Sequence, residues 1–384
     1  MEKRDFSNSV ESTTSIVNPL YNLNSFSFNN EYDIILFCHL RWEFVFQRPQ
    51  HIITRLARKY RILIIEEPVP FRDEEENTFI KKKILPNIHV WQPCVKSIGD
   101  IPALLKQQLS SINFPIAWFY SAAFIPILEV FKFDTIIYDC MDELSLFKGA
   151  NKEIIEQEKK LLQKADIVFT GGKSLYESKN VHNSNTYCFR SSVDEEHFYR
   201  ATKITKYPED VAITKSPRVG YYGVIDERID LQLLDETASK MPDISFIMIG
   251  PVVKINPSDL PIRDNIHFLG QKAYNLLPPY LASFDIAMMP FALNESTRYI
   301  SPTKTLEYMA AEKPIISTKV ADVVADYSHC IRFIENADDF CNAIKEIFND
   351  EADLKAHYKD ILINTSWETT VDGMINIIKQ NIEK

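Results

Sequence analysis

Short, almost continuous apolar runs alternate with amphipathic segments along most of the chain, and this alternation limits the fold more than any other feature. The runs YDIILFCHL, RILIIEEP and DTIIYDC are typical of strands that are covered on both faces of a parallel sheet. Between the first two runs, Ile52, Leu56 and Tyr60 recur at helical spacing. The sequence therefore predicts an α/β protein with doubly wound sheets.

The alternation stops once, in a polar stretch without a regular period, and we place a domain boundary there. The prediction is an N-terminal domain at 31–200, a linker at 201–216 and a C-terminal domain at 217–365, followed by a helix at 366–384. Residues 1–30 are rich in Asn and Ser, which predicts a disordered or loosely docked arm. A cleft between the two domains, at the carboxyl ends of the strands, is the expected ligand site.

Composition argues against several classes of protein. The net charge of −10 weakly disfavours a nucleic-acid partner, which would favour a clustered basic surface. The six cysteines are scattered without a C-x-x-C pair, so neither a disulfide framework nor a zinc site is expected. The nine glycines form neither a dinucleotide-binding fingerprint nor a P-loop.

Targeting features are equally sparse. No apolar run approaches the roughly 18 residues of a membrane span, and the N-terminus lacks the apolar core of a secretion signal. With the scattered cysteines, this predicts a cytoplasmic protein. Basic residues at Arg48, Arg55, Arg58 and Lys59 leave two alternatives: peripheral contact with anionic lipid, or a solvated helix face.

The segment SPTKTLEYMAAEKPIIST carries the strongest functional signal. Ser301 and Pro302 predict an N-cap and a first-turn proline, with a helix that continues through Thr303, Lys304 and Glu307. A lysine in the first turn opposes the helix dipole, and this placement is favourable where a bound anion shares the site. Glu307 lies on the same face and can accept hydrogen bonds from a ribose diol. The alternative is that the two charged side chains simply pair with each other.

A second signal lies in PRVGYYGVIDERID. Gly223 ends a predicted strand, and a glycine at a strand-to-helix turn lets phosphates approach the backbone. Arg228 follows and can hold a phosphate through two hydrogen bonds. The alternative is a surface arginine that pairs with Asp226 or Asp230.

Two carboxylates, Asp139 and Asp142, follow the strand in YDCMDELSLF. Catalytic groups of α/β enzymes tend to lie after strand ends, so either residue could act as a base or stabilise positive charge. The same spacing also suits turn and helix-capping chemistry. The chain contains no D-x-D pair, so ligands for a metal–diphosphate complex are not evident.

The segment CHLRWEFVFQRPQH combines aromatic surface with basic groups. Trp42, Phe44 and Phe46 can stack on a sugar ring. The residues that we predict to bind an acceptor are His39, Arg41, Arg48 and His51. A lone histidine is more often structural, so packing is the alternative for both histidines.

Together these segments resemble GT-B glycosyltransferases. SPTKTLEYMAAEKPIIST is similar to the donor-nucleotide segment of the large retaining branch, the glycosyl-transferase group-one family. In that family a glutamate, seven residues and a second glutamate precede A-M-A-x-G-x-P-V-I. Glu307 matches the second glutamate, whose family role is to bind the nucleotide ribose. The first glutamate falls at Tyr299, which leaves the sugar and the stereochemical outcome open.

The resemblance extends over about residues 33 to 380. ADIVFTGGKSLYE, SSVDEEHF and NIHFLGQKAYNLLPPYLASFDIAMMPF are similar to further family landmarks and occur in the family's order. CHLRWEFVFQRPQH and YDCMDELSLFKGA resemble a bacterial subset near teichuronic-acid and other surface-polysaccharide glycosyltransferases.

The resemblance implies two Rossmann-like lobes that face a central cleft, with a final helix that crosses back to the N-terminal lobe. It implies that the C-terminal lobe binds a nucleotide-diphosphate sugar and the N-terminal lobe an acceptor. The implied donor-binding residues are Gly223, Arg228, Ser301, Thr303, Lys304 and Glu307. The implied catalytic residues are Asp139, Asp142, Lys304 and Arg228, with Asp139 at the family's active-site position and Asp142 as its competitor.

The expected activity is transfer of a sugar from a nucleotide-diphosphate donor, for which UDP is the expected nucleotide. The expected acceptor is a hydroxyl of a carbohydrate or lipid-linked saccharide in bacterial surface-polysaccharide synthesis. No metal or other cofactor is expected, and the resemblance implies retention of configuration. Two alternatives remain: a nucleotide-sugar 2-epimerase on the same fold, and a non-catalytic scaffold that binds nucleotide sugar.

Overall fold

The computed structural model describes residues 31–70, 76–349 and 354–383. Within these ranges the chain forms two sheets of mainly parallel strands, with helices packed on them. This confirms the predicted α/β class. The predicted arm at 1–30 lies outside the described residues.

The first sheet has the strand order β3-β4-β2-β1-β5-β6-β7-β8, and β3 runs antiparallel to β4. Every residue of β1 and β2 is buried, as expected for strands covered on both faces. The strands are β1 (Ile34–Cys38), β2 (Ile62–Glu66), β3 (Thr78–Leu85), β4 (Ile88–Cys94), β5 (Asn113–Phe119), β6 (Lys132–Cys140), β7 (Ile167–Thr170) and β8 (Thr186–Cys188).

The second sheet has the order β11-β10-β9-β12-β13-β14, and its paired strands are parallel. Its strands are β9 (Arg218–Tyr222), β10 (Ser245–Ile249), β11 (Ile266–Phe268), β12 (Ile286–Met289), β13 (Ile315–Thr318) and β14 (Arg332–Ile334). In both sheets the strand order reverses beside the first strand of the lobe, β1 or β9. Loops leave such a switch point in opposite directions and open a crevice at the carboxyl ends of the strands.

Helices pack on both sheets and in the connection between them. The helices are α1 (Arg48–Leu56), α2 (Ile101–Gln108), α3 (Glu153–Lys164), α4 (Lys173–Asn180), α5 (Glu195–Tyr199), α6 (Glu209–Ala212), α7 (Leu231–Lys240), α8 (Leu277–Ala282), α9 (Lys304–Ala310), α10 (Ala321–Tyr327), α11 (Ala337–Phe348), α12 (Tyr358–Leu362) and α13 (Trp367–Ile382).

The last helix, α13, packs against α1 of the N-terminal lobe. Trp367 and Met374 are buried in one cluster with Ile52 and Trp118 of that lobe. The imidazole of His51 stacks on Trp367, with 4.6 Å between ring centroids. Since a buried tryptophan contributes a large apolar area, this contact ties the end of the chain to its first lobe.

Candidate active site

A cavity of about 640 Å³ lies between the carboxyl ends of the two sheets. The N-terminal lobe lines it with residues 42–48, which follow β1, and with Met141 and Asp142, which follow β6. The C-terminal lobe lines it with residues 221–224, at the end of β9, and with the start of α9. The cavity therefore occupies the crevice that the strand order of both sheets predicts.

Two glycines form the floor of this cavity on the C-terminal side. Gly223 has a φ of 144°, and a Cβ added there would lie 2.2 Å from Lys304 Cε. Gly250, at the end of the neighbouring strand, has a φ of 149°, and an added Cβ would lie 1.7 Å from the carbonyl oxygen of Gly223. Both positions require glycine, which leaves bare backbone facing the cavity. Gly223 was predicted from the sequence and Gly250 was not, although Gly250 also follows a buried apolar run.

The predicted helix cap at Ser301 is wrong. Helix α9 begins at Lys304, and its N-cap position is Thr303, which already has helical backbone angles and makes no side-chain cap bond. Ser301 instead accepts a 2.7 Å hydrogen bond on its carbonyl oxygen from the hydroxyl of Ser191, across the cleft. Ser301 and Thr303 still line the cavity.

Lys304 and Glu307 both line the cavity, but they do not form an ion pair. Among the described residues, no carboxylate oxygen lies within 4.0 Å of Lys304 Nζ. Glu307 instead accepts a 2.7 Å hydrogen bond from the hydroxyl of Tyr222, a partner that the sequence analysis missed. The simple pairing of Lys304 with Glu307, which the sequence left open, is not what the structure shows.

Burial changes the ionisation of both groups. Desolvation lowers the pKa of Lys304, although the negative charge of Glu307 partly opposes this. Desolvation likewise raises the pKa of Glu307, and the charge of Lys304 and the hydrogen bond from Tyr222 work against it. A partly desolvated cation beside bare backbone and without a bonded carboxylate is suited to an anionic ligand.

Arg228 lines the cavity and is also held by Asp226. It therefore pairs with Asp226, as one prediction had it, and still faces the space where the other prediction puts a phosphate. Its Nε and Nη2 donate to the Asp226 carboxylate at 2.8 to 3.1 Å. Its guanidinium also lies 5.2 Å from the ring centroid of Phe147, a residue of the opposite lobe. The Asp226 contact fixes the arginine at the cavity wall.

Asp142 and Asp139 occupy different environments. Asp142 lines the cavity, and removal from water raises its pKa to about 6, although the charge of Arg228 opposes that shift. Asp139 is fully buried within β6 and does not line the cavity. Its Oδ1 accepts hydrogen bonds from Arg48 at 2.9 and 3.2 Å. The structure thus places Asp142 at the site and corrects the preference for Asp139.

Three of the four predicted acceptor residues lie outside the cavity lining. His39 is withdrawn from water, which lowers its pKa to about 4. Arg41 bonds to Glu66 and to the carbonyl oxygen of Pro68. His51 is buried against Trp367. Arg48 does line the cavity, but Asp139 and the Phe189 carbonyl already hold its guanidinium. The packing alternative for the histidines therefore fits better than acceptor contact.

The basic residues of α1 also have partners within the protein. Arg48 is 4% exposed, and Arg55 Nε forms a 2.9 Å ion pair with Glu368 of α13. These two side chains are therefore not available on a face that could contact lipid.

Trp42, Phe44 and Phe46 form an aromatic wall on the N-terminal side of the cavity. Glu66, which the sequence analysis missed, is buried at the end of β2 and accepts a 2.6 Å hydrogen bond from the backbone N–H of Trp42. The ring of Phe46 lies 4.7 Å from that of Tyr274 in the other lobe. The wall is thus anchored in one lobe and contacts the second.

Further polar contacts join the lobes beside the cavity. Asp322 of α10 accepts hydrogen bonds from the hydroxyl and the backbone N–H of Ser174, at the start of α4. Arg190 forms a 3.2 Å ion pair with Asp326. These contacts hold the two lobes together at the edge of the cavity.

Neither a metal-binding cluster nor a membrane-spanning helix is found among the described residues. In residues 31–70, 76–349 and 354–383, no group of three His, Cys, Asp or Glu side chains could hold a metal ion. Over the same ranges, no helix is long and apolar enough to cross a membrane.

The C-terminal lobe is similar to a known protein family. Residues 216–350 match the family model of glycosyl transferases group 1. The putative teichuronic acid biosynthesis glycosyltransferase TuaH of Bacillus subtilis (strain 168) is 22% identical over 222 residues, 53% of this chain and 55% of the relative. The chain thus matches about half the length of this curated relative. These matches confirm the predicted resemblance to the group 1 family and to teichuronic-acid enzymes.

Solved structures extend the likeness to both lobes. Sucrose-phosphate synthase from Thermosynechococcus elongatus superposes with a TM-score of 0.69 at 14% identity, and the alignment covers 90% of this chain and 98% of the synthase chain. Anabaena HepE, solved in complex with UDP and glucose, superposes with a TM-score of 0.63 at 13% identity, and the alignment covers 91% of this chain and 100% of the HepE chain. These neighbours confirm the GT-B fold, with two Rossmann-like lobes facing a cleft.

Proposed function

We propose that this chain, in which residues 216–350 form a glycosyl transferases group 1 domain, is a glycosyltransferase that uses a nucleotide-diphosphate sugar. The observation that carries the proposal is the Lys304 ammonium, which faces the cavity beside the bare backbone of Gly223 with no carboxylate within 4.0 Å in the described chain. A pyrophosphate fits this position because it supplies the missing negative charge and needs close approach to the backbone.

The donor is assigned to the C-terminal side of the cavity. Lys304 and Arg228 face the diphosphate, and Glu307 accepts hydrogen bonds from the ribose hydroxyls, with Tyr222 holding its carboxylate in place. We propose UDP as the nucleotide. Support comes from the Anabaena neighbour, which was solved with UDP bound.

The acceptor is assigned to the N-terminal side. The wall of Trp42, Phe44 and Phe46 offers apolar surface to the face of a sugar ring. We propose a carbohydrate or lipid-linked saccharide as acceptor, in bacterial surface-polysaccharide synthesis. Support comes from the similarity to TuaH, whose name places it in teichuronic acid biosynthesis. We also propose peripheral contact with the inner membrane from the cytoplasm, through the exposed Arg58 and Lys59 and not through Arg48 or Arg55.

We infer a reaction in which side chains stabilise the leaving group. The bond between the anomeric carbon and the diphosphate oxygen breaks, and the acceptor hydroxyl forms the new bond. Lys304 and Arg228 offset the charge that develops on the departing diphosphate, so neither a metal nor another cofactor is required. Retention follows if the departing phosphate takes the acceptor's proton from the same face, as the resemblance implies. Lobe closure limits hydrolysis by excluding water.

A thermal-shift screen with UDP, GDP, ADP and CMP sugars tests the proposal, because a ligand that binds the folded state raises its unfolding temperature. We expect UDP sugars to stabilise the protein, and we expect sugar transfer to an acceptor extract in the presence of EDTA. Lack of stabilisation by every nucleotide sugar would contradict the proposal, and an absolute need for Mn²⁺ would contradict the metal-free mechanism. Conversion of UDP-GlcNAc without acceptor would instead indicate a 2-epimerase.

A further inference from the structure

The loop after β6, residues 141–149, brings Asp142 to the cavity, and we call it the β6 loop. The next residue, Glu143, turns away from the cavity into the N-terminal lobe. Its Oε2 lies 2.5 Å from Nζ of Lys179, at the end of α4. One residue therefore faces the donor site while its neighbour is bonded inside the lobe.

Lys179 belongs to a buried network that reaches two other elements. The lysine is 3% exposed, and its Nζ also lies 2.8 Å from Glu158 Oε2 on α3. Glu158 accepts a 2.6 Å hydrogen bond from the hydroxyl of Tyr138 on β6. We call these residues, with Glu143, the Lys179 network. Burial alone lowers the pKa of Lys179, but the neighbouring Cys140, Glu158 and Glu143 raise it above its ordinary value, so the ammonium stays charged.

A buried charge network is a weak source of net stability, because desolvation offsets most of the attraction. It does impose geometry, since removing one partner leaves another charge buried and unpaired. Here the ion pair with Lys179 restrains the carboxylate of Glu143, and Glu143 directly follows Asp142 in the chain. The network thus limits the positions that the Asp142 carboxylate can adopt.

The far part of the β6 loop contacts the C-terminal lobe. The Phe147 ring lies 4.6 Å from Lys254 Nζ and 5.2 Å from the Arg228 guanidinium carbon. The backbone N–H of Lys148 donates a 3.1 Å hydrogen bond to Glu227. The loop therefore spans the cleft from the Lys179 network to the segment that carries Arg228.

We propose that Lys179 and Glu143 are positioning residues, which hold the β6 loop so that Asp142 faces Arg228 and Lys304 at the donor diphosphate. Neither residue lines the cavity, so both act through Asp142. This inference rests on the proposed function for its catalytic consequence. The ordering of the β6 loop by the Lys179 network does not depend on which ligand binds.

The test compares Glu143→Gln, Lys179→Arg and Lys179→Met with the control Glu156→Gln, which removes the exposed Glu156–Lys159 ion pair from the same helix as Glu158. The first readout is hydrogen–deuterium exchange of peptides covering 141–149 in the free protein. We expect about tenfold faster exchange in Glu143→Gln and Lys179→Met, a smaller change in Lys179→Arg, which keeps the charge, and none in the control. Should Lys179→Met fail to fold, Glu143→Gln decides, because its uncharged amide keeps the shape of the side chain.

The second readout uses the UDP sugar that the screen identifies. We expect kcat to fall about tenfold in Glu143→Gln while KM for the donor changes less than twofold. We also expect the pH midpoint assigned to Asp142 to move from about 6 toward its ordinary value of 3.8, since a loosened loop exposes the carboxylate to water.

The outcomes separate the two claims. Unchanged exchange at 141–149 overturns the positioning proposal, whatever the ligand. Faster exchange with unchanged kcat and an unchanged pH midpoint overturns it as well, because the loop would then have no role in the reaction. If no nucleotide sugar binds the wild type, the proposed function fails, and exchange alone decides whether the network orders the loop.

Discussion

The side chain of Lys304 passes directly over Gly223, and a Cβ added at Gly223 would lie 2.2 Å from Lys304 Cε and 2.8 Å from Nζ. The glycine is therefore required for the position of the lysine as well as for its own backbone angle. Because Lys304 lies on α9 and Gly223 at the end of β9, this contact fixes the distance between the two elements that we propose to hold the donor.

We predict that Gly223→Ala weakens UDP binding about tenfold, equivalent to 1.4 kcal/mol, because the new methyl group displaces the Lys304 ammonium. Isothermal titration calorimetry measures the effect. The matched control is Gly270→Ala, which also has a positive φ, 69°, but has no atom within 4 Å of an added Cβ. Equal losses in the two variants would indicate general backbone strain and contradict a specific effect on Lys304.

Glu307 and Tyr222 give a second prediction. Glu307→Gln should weaken UDP binding about tenfold, and Tyr222→Phe should have a smaller effect, because it removes only the hydrogen bond that orients the carboxylate. The ribose role is tested with 2′-deoxy-UDP. If Glu307 accepts from the ribose diol, the loss caused by Glu307→Gln should shrink with the deoxy ligand. A loss of the same size with both nucleotides would contradict that role.

Much of this organisation could be predicted because it depends on local patterns. Strands that are buried on both faces require continuous apolar runs, so β1 and β9 were evident, and the cavity follows from the position of their carboxyl ends. Lys304 was identified because a cation in the first turn of a helix opposes the helix dipole unless an anion compensates it, and Glu307 was identified because it lies three residues further on the same face.

Other features depend on distant partners and left no local signal. β3 was not predicted, because consecutive lysines, Lys81 to Lys83, interrupt its apolar pattern at the open edge of the sheet. Asp139 was preferred to Asp142 because nothing in the local sequence shows that Arg48, 91 positions away, neutralises it. The domain limits at 31–200, 201–216, 217–365 and 366–384 stay predictions.

The two aspartates should respond differently to removal of their charge. Asp139→Asn leaves Arg48 buried without its carboxylate and should cost about 3 to 5 kcal/mol of unfolding free energy. Asp142 has a pKa raised from 3.8 to about 6, so its ionised form destabilises the folded state above that pH. Asp142→Asn should therefore stabilise the protein near pH 7.5, by about 3 kcal/mol, and the gain should nearly vanish near pH 4.

Urea unfolding of both variants at these two pH values checks the prediction. Activity supplies the complementary measurement: Asp142→Asn is expected to lose turnover while gaining stability, as is common for groups that serve catalysis at the expense of folding. Destabilisation by Asp142→Asn near pH 7.5 would contradict the raised pKa of Asp142, and full turnover in that variant would show that Asp142 has no part in the reaction.

The stacking of His51 on Trp367 predicts how acid affects the attachment of α13. Burial lowers the pKa of His51 from 6.5 to about 3, so the unfolded chain binds a proton at this residue that the folded chain does not. The contribution of His51 to stability is present above pH 6.5 and decreases as the pH falls toward 3. Near pH 4.5 the loss should be about 2 to 3 kcal/mol.

His51→Phe keeps an aromatic ring on Trp367 but cannot be protonated, so its stability relative to the wild type should rise by that amount between pH 7.5 and 4.5. Unfolding curves at both pH values measure the difference, with the exposed His182→Phe as the control. A stability difference between His51→Phe and the wild type that does not change with pH would show that this contact does not limit stability in acid.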